Sequence, residues 1–425
     1  MKTGTKILTG VLAALVLMLG ALVAQNFLTG DTAPEGSGVP GTAAPEATAP
    51  AETEPQVITA TLGYFGDIVC HSGLNEDALQ ADGSYDYTSI FQGVTPYAAQ
   101  ADYALCTLET TFPGTGTYTG YPMFQSPEEL AKGLSQLGFD LVNTASNHCM
   151  DAYQSGLIAT LDVLDKYGLD HVGTYRTAEE RQEHDGIVLA DVGGIQVAFI
   201  SYTYGTNGIP VTGFEYAVNL LYKDYLTTLT EIDYEAIDRD IAAAKALEPD
   251  LIAFLIHWGA EYYTYPFDYQ EDLADHLFSQ GVDMILGGHV HVPAPMELRQ
   301  IQNDDGSTRQ GYLCYCLGNL VSCQNDRYTD LTAAVNITLE KDLSTGEARV
   351  ADAAYVPLYM VDLAEFGVYG AGWRYRLWDL HAALDAYAAG DDWGVMNESL
   401  YQTMQIALED LYAIFPRELD SRNKT

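Results

Sequence analysis

The chain has 425 residues, enough for one large domain or two medium ones around a buried core. Its 59 acidic residues against 19 basic ones give a formal charge of −40, which repels nucleic acid and anionic headgroups and argues against a nucleic-acid partner. A hydrophobic content of 48% with 30 tyrosines excludes a disordered acidic chain, because such chains are poor in aromatics.

In chain order, Lys2 and Lys6 precede an uncharged run from Ile7 to Leu28, long enough to span a hydrocarbon core of about 30 Å. Residues 1–28 therefore read as a signal anchor or transmembrane helix. Positive charge ahead of the run predicts a cytoplasmic N-terminus, a single-pass location in the cell membrane and an extracytoplasmic body. The small-residue stretch Leu22 to Gln25 leaves a cleaved signal peptide as the alternative. Residues 29–55 are rich in Pro, Ala, Thr and Glu, with Pro34, Pro40, Pro45, Pro50 and Pro55 regularly spaced, and read as an extended linker.

Strand-like runs then alternate with helical patterns. The strands are expected at Val57 to Phe65, Ala104 to Leu108, Leu141 to Ala145, Ile195 to Tyr202, Leu251 to His257 and Val282 to Gly287. Helical spacing covers Glu128 to Leu137, Tyr153 to Tyr167, Tyr234 to Leu247 and Tyr269 to Gln280. Such alternation implies an α/β fold of layered β-sheets flanked by helices, with functional loops at strand C-terminal ends. Gly311 to Tyr355 reads as added antiparallel strands, completing a domain over 56–360. Residues 361–425, centred on Trp373 to Phe415, read as a C-terminal helical extension. Six cysteines in an exported chain could pair as three disulfides, whereas Cys106, Cys314 and Cys316 in apolar runs suit small core residues.

Five motifs at strand ends carry residue types suited to a divalent cation. They are Gly66-Asp67, Leu108-Glu109-Thr110, Ser146-Asn147-His148 followed by Asp151, Ile256-His257-Trp258 and Gly287-Gly288-His289-Val290-His291. An amide oxygen such as that of Asn147 can ligate a metal while the adjacent imidazole faces a substrate. In the last motif, alternate residues of an extended chain share a face only if the backbone bends, and bending is assigned to the glycines.

In order and strand context the set resembles the calcineurin-like metallophosphatase pattern of Asp, Asp or Glu, Asn-His, His and Gly-His-x-His. The surrounding text resembles, more narrowly, the poly-gamma-glutamate capsule synthesis family (the CapA family): Gly138 to Val142 before Asn147-His148, His257-Trp258-Gly259 with Glu261-Tyr262, and Cys316-Leu317-Gly318-Asn319. Phe124 with Ser126-Pro127, and Ala101-Asp102, fit too, and the likeness runs from about residue 59 to 325. The resemblance implies a metallophosphatase-like fold binding one or two divalent ions (Mn, Fe or Zn). Glu109 would bridge two metal positions, with Asp67 and His291 on one and Asn147, His257 and His289 on the other. His148 would act catalytically, and Asp151 would orient it or cap the following helix.

Three departures from the pattern are visible. Val69 stands where metallophosphatases have a metal-binding histidine, with His71 as a possible substitute; Glu109 stands for the commoner aspartate; Thr107 stands for the family's asparagine. His171, His184, His276 and His381 lie outside the motifs and read as ordinary histidines. The resemblance implies a membrane-anchored protein taking part in synthesis or export of a capsular poly-gamma-glutamate-type polymer, with polyglutamate synthase or export subunits and the anionic polymer as partners. A stand-alone metal-dependent hydrolase of a phosphoester or envelope polymer, and a non-catalytic envelope interaction protein, are the alternatives.

Overall fold

Runs of β-branched and aromatic residues bounded by turns form strands because such side chains pack well on a sheet covered on both faces. The computed structural model describes residues 56–424 apart from positions 184 and 304. The expected anchor (1–28), the linker (29–55) and His184 lie outside the described residues. Among those described, no helix is long and apolar enough to cross a membrane.

In chain order the strands are β1 (Val57–Ile68), β2 (Tyr103–Leu108), β3 (Leu141–Asn143), β4 (Asp170–Val172), β5 (Val188–Val192), β6 (Ile195–Thr203) and β7 (Leu251–His257). They continue as β8 (Met284–Gly288), β9 (Pro293–Gln302), β10 (Thr308–Leu317), β11 (Asn319–Val321), β12 (Leu331–Asp342), β13 (Ala348–Asp362) and β14 (Tyr375–Asp379). One sheet has the order β14-β13-β12-β1-β2-β3-β4, with β11 beside β1, and the other the order β5-β6-β7-β8-β10-β9. β1 to β4 run parallel, as do β6, β7, β8 and β10. Antiparallel strands occupy the flanks.

The two sheets face one another across a shared core. Leu62, Tyr64, Leu105 and Leu141 of the first meet Phe199, Leu255, Leu286 and Cys314 of the second. On the outer face of the first sheet, Phe65, Cys106 and Val142 pack against the helices Glu129–Leu137 and Tyr153–Lys166. On the outer face of the second, Ile200, Phe254 and Ile256 pack against the helices Tyr234–Ala246 and Asp268–Ser279. The result is the expected α/β layering of two sheets enclosed by helices.

The tail differs from the sequence reading. Tyr375–Asp379, expected within a helical stretch, pairs antiparallel with β13 as the edge strand β14. Five residues are too few to show a period of two. They also run directly into the helix Leu380–Ala388, whose first turn Asp379 caps by accepting the Ala382 N–H. That helix and Glu398–Tyr412 place Leu380, Leu400, Met404 and Leu411 in the inter-sheet core, so the tail is part of the folded body. All six cysteines are free, five of them buried, so no disulfide forms among the described residues.

Candidate metal centre

A parallel strand presents its last residues at a common sheet edge, and the loops leaving that edge converge. Both sheets contribute here. Asp67 lies at the end of β1, Glu109 directly after β2, Asn147 and His148 in the loop after β3, His257 at the end of β7, and His289 and His291 directly after β8. All are buried: Asp67 is 1% exposed, and Glu109 and His257 are each 0% exposed. Ligand-type atoms of Asp67, Glu109 and His257 lie within 4.8 Å of one another. His257 Nε2 donates to Asn147 Oδ1 at 2.9 Å and stands 3.7 Å from Glu109 Oε1. The imidazole rings of His257 and His289 are 4.8 Å apart, and those of His289 and His291 are 6.0 Å apart.

The bend that brings the last two histidines together falls on the histidines, not on the glycines before them. His289 has φ 99° and His291 φ 66°, a left-handed conformation rare outside glycine and costly enough to mark a functional loop. The glycines serve close approach instead. A Cβ on Gly287 would lie 2.2 Å from the Tyr315 carbonyl oxygen, and one on Gly288 would lie 2.5 Å from Asp67 Oδ1. Asp67 Oδ2 in turn accepts the His289 N–H at 2.7 Å, tying the first sheet's carboxylate to the second sheet's loop.

Burial sets the protonation of the cluster. It raises the Asp67 carboxyl to about 7, partly offset by the His289 N–H, and raises Glu109 well above the usual carboxylate range, with the neighbouring Asp67 charge adding to the effect. Burial lowers His257 and His289 far below the ordinary imidazole range and His291 to about 4, although Asn319 partly restores the last. The imidazoles are thus neutral, each with a lone pair to offer. Both Glu109 carboxylate oxygens, His257 Nδ1 and His289 Nδ1 are buried without a hydrogen-bond partner among the described residues. Orphaned buried acceptors of this kind are costly, and a divalent cation satisfies them together. The donor set of carboxylates, an amide oxygen and imidazoles suits a divalent cation.

His148 stands beside this cluster as the substrate-facing candidate. Its Nδ1 lies 2.7 Å from Asp151 Oδ2, so Nδ1–H is held by the carboxylate and Nε2 keeps its lone pair. Asp151 also accepts the Phe124 N–H at 2.6 Å. It is not the helix cap: Ala152 occupies that position, and the Asp151 side chain is buried. The Phe124 ring packs edge-on against His148 at 4.6 Å and against His71 at 5.0 Å. Val69 is buried and bonds β11 through its N–H. His71 packs against the same Phe124 ring as His148 and turns Nδ1 toward the Val69 carbonyl at 3.0 Å.

Two positioning residues escape motif reading. Asn319 accepts from His291 Nδ1 at 3.0 Å and pairs in register with Asp67 through the parallel contact of β11 with β1. Its Leu-Gly-Asn context is visible in the sequence, but its contact with His291 is not. Asn207 accepts from Asn147 Nδ2 at 3.1 Å and places its own amide 3.4 Å from the His148 ring, and no local sequence signal marks it. His171, His276 and His381 pair with Asp165, Asp238 and Asp420, apart from the centre.

Two layered sheets that gather these donors at one edge define a protein able to hold a divalent cation. The chain belongs to the bacterial capsule synthesis protein family PGA_cap, whose model matches residues 61–324, more than half of its length. It is 30% identical over 266 residues to the PGA biosynthesis protein CapA of Bacillus subtilis, a match spanning 62% of this chain and 64% of that one. It is 26% identical over 303 residues to the capsule biosynthesis protein CapA of Bacillus anthracis, spanning 69% of this chain and 67% of that one. A crystal structure of a phosphatase from Mycoplasma pneumoniae superposes over 71% of this chain and 94% of its own with a TM-score of 0.39 and 12% identity, a likeness too loose to argue from.

Proposed function

We propose that the chain is a metal-dependent hydrolase of the capsule apparatus, anchored by residues 1–28 in the cell membrane with its body outside the cytoplasm. Its place is in the synthesis or export of a capsular poly-gamma-glutamate-type polymer, beside synthase or export subunits. The observation that supports it best is the buried set of unpartnered Glu109, His257 and His289 atoms at the joined sheet edges. Asp67, Glu109, Asn147, His257, His289 and His291 are the residues to hold one or two ions. When bound, such an ion acidifies a water and offers positive charge to an oxyanion. His148, its Nδ1–H fixed by Asp151, would keep Nε2 free to take a proton from the attacking nucleophile and then pass it to the leaving group. The Phe124 ring packs edge-on against that imidazole.

A stand-alone hydrolase of an uncharged envelope polymer is the second reading, favoured by the cleft beside His289. This space of about 420 Å³ is lined by Tyr204, Tyr222, Leu229, Glu261 and Tyr269, without a lysine or arginine to attract a polyanion.

Metal analysis of the purified full chain tests the site. The wild type is expected to retain Mn, Fe or Zn and the His289→Ala/His291→Ala variant to lose it, whereas equal content in both refutes the assignment. Release of product from gamma-glutamyl oligomers, model phosphodiesters or wall fragments by the metal-loaded chain then separates the two hydrolytic readings.

A further inference from the structure

Three of the chain's four tryptophans meet at one place far from any metal ligand in sequence. Trp373, Trp378 and Trp393 line a cavity of about 470 Å³ together with Gln92, Tyr97 and Asp379. Trp378 stands nearly perpendicular to both other indoles, at 86° and 5.1 Å from Trp393 and at 70° and 6.1 Å from Trp373. The rings therefore form adjoining walls rather than a stack. Trp393 is 41% exposed, an unusual position for so large an apolar group. Burial in the fold does not explain it. Part of the wall comes from the family-matched region, at Gln92 and Tyr97, and the tryptophans come from the segment after residue 324, beyond that match.

The polar groups narrow the ligand. Arg376 lies 4.4 Å over Trp373 but is committed to Asp77 Oδ2 at 2.8 Å and to the Tyr375 carbonyl at 2.6 Å. Among the described residues no lysine or arginine lines the cavity, so an anionic ligand would find no counter-charge there. Asp379 accepts the Tyr97 hydroxyl and the Ala382 N–H, which fixes its carboxylate while leaving lone pairs for further donors. Gln92 adds an exposed amide with both donor and acceptor. Flat apolar walls with a fixed acceptor and an amide at the rim match a molecule that has one C–H face and a girdle of hydroxyls. A pyranose ring has that chemistry, and the negative faces of indoles attract its polarised C–H bonds.

We propose that this cavity is a saccharide-binding subsite for a neutral sugar chain, independent of the metal centre. Its volume lies within the range of small-ligand pockets and holds roughly one to two rings. The subsite would hold this chain on neutral envelope glycan whatever reaction occurs at the metal centre.

Because three of the four tryptophans line the cavity and the fourth, Trp258, is buried elsewhere, intrinsic fluorescence reports on the site. The full chain in detergent is titrated with neutral tetrasaccharides of glucose and of N-acetylglucosamine, with choline as a cationic control. Saturable fluorescence change with at least one tetrasaccharide is expected, weakened about tenfold or more in Trp393→Ala and in Gln92→Ala. Both variants alter exposed side chains, so they should fold with wild-type circular dichroism and metal content. The His289→Ala/His291→Ala variant should bind sugar as the wild type does, which keeps this outcome separate from that of the hydrolase proposal. Response to choline alone, no response to either sugar, or sugar binding untouched in both cavity variants would each overturn the proposal.

Discussion

Asp67 carries a conflict between stability and binding. Its carboxyl ionises near 3.8 in a free chain and near 7 in the folded, metal-free protein, because burial outweighs the His289 N–H bond. Between those values the folded state holds more protons than the unfolded one, so this residue's contribution to stability falls as pH rises from about 4 to about 7. His291, lowered from 6.5 to about 4, acts in the opposite sense over an overlapping window. A variant is needed to separate them. Asp67→Asn keeps an oxygen for the His289 N–H and removes the buried charge. At pH 8 without metal it should unfold at higher denaturant concentration than wild type, by a few kcal/mol, since one pKa unit is worth about 1.4 kcal/mol. It should also bind metal much more weakly. A midpoint unchanged or lowered at pH 8 would show that Asp67 is not held as a strained charge. His148 makes a different prediction. His148→Ala should keep its metal and lose turnover by roughly 10²- to 10⁴-fold, whereas Asp151→Asn should keep its metal and distort the pH–rate profile, because the ring loses its fixed tautomer.

At the scale of elements, the strand ends and their loops were legible and the contacts between them were not. The apolar runs before Asp67, Glu109 and His257 are long, and the structure ends a parallel strand at or just before each, as expected, whereas the strand before Asn147 is short and ends at Asn143. β14 was missed because five residues, one of them the buried Arg376, give no readable alternation. Asp151 resembled a helix cap because local sequence cannot show that Ala152 takes the cap position and that the carboxylate bonds His148 and the Phe124 N–H instead. The Gly-Gly-His-Val-His segment was recognised as bent, but the division of labour within it needed coordinates. Gly288 is required by contact rather than by conformation, since any side chain there meets Asp67 Oδ1. Gly288→Ala should therefore fold and lose most of its bound metal, which metal analysis against circular dichroism would check. The tail gives the converse case. Leu411 is fully buried in the inter-sheet core, so Leu411→Ala should cost about 2–5 kcal/mol of stability while metal content per folded molecule stays the same.

For the whole molecule, the formal charge of −40 and the buried carboxylate pair act together on cation binding. The net charge raises the local concentration of divalent cations at low ionic strength, an effect that added salt screens within about 10 Å. Inside the centre the same cations must displace protons, because ligands bind as carboxylate and neutral imidazole. Asp67 near 7 and Glu109, raised further than an ordinary carboxylate, hold protons at mildly acidic pH, whereas His257, His289 and His291 are already neutral there. Carboxylates therefore set the pH dependence, unlike an ordinary histidine site, where imidazole protonation weakens binding below about 6.5. Apparent affinity for Mn or Zn should rise about tenfold per pH unit for each proton released, most steeply while both carboxyls still hold their protons and flattening as pH passes the titration of the pair. Calorimetry in buffers of different ionisation enthalpy would count those protons directly. Glu109→Gln should lower both the proton count and the affinity, and an affinity flat from pH 5 to 8 would exclude the carboxylate pair from the binding set.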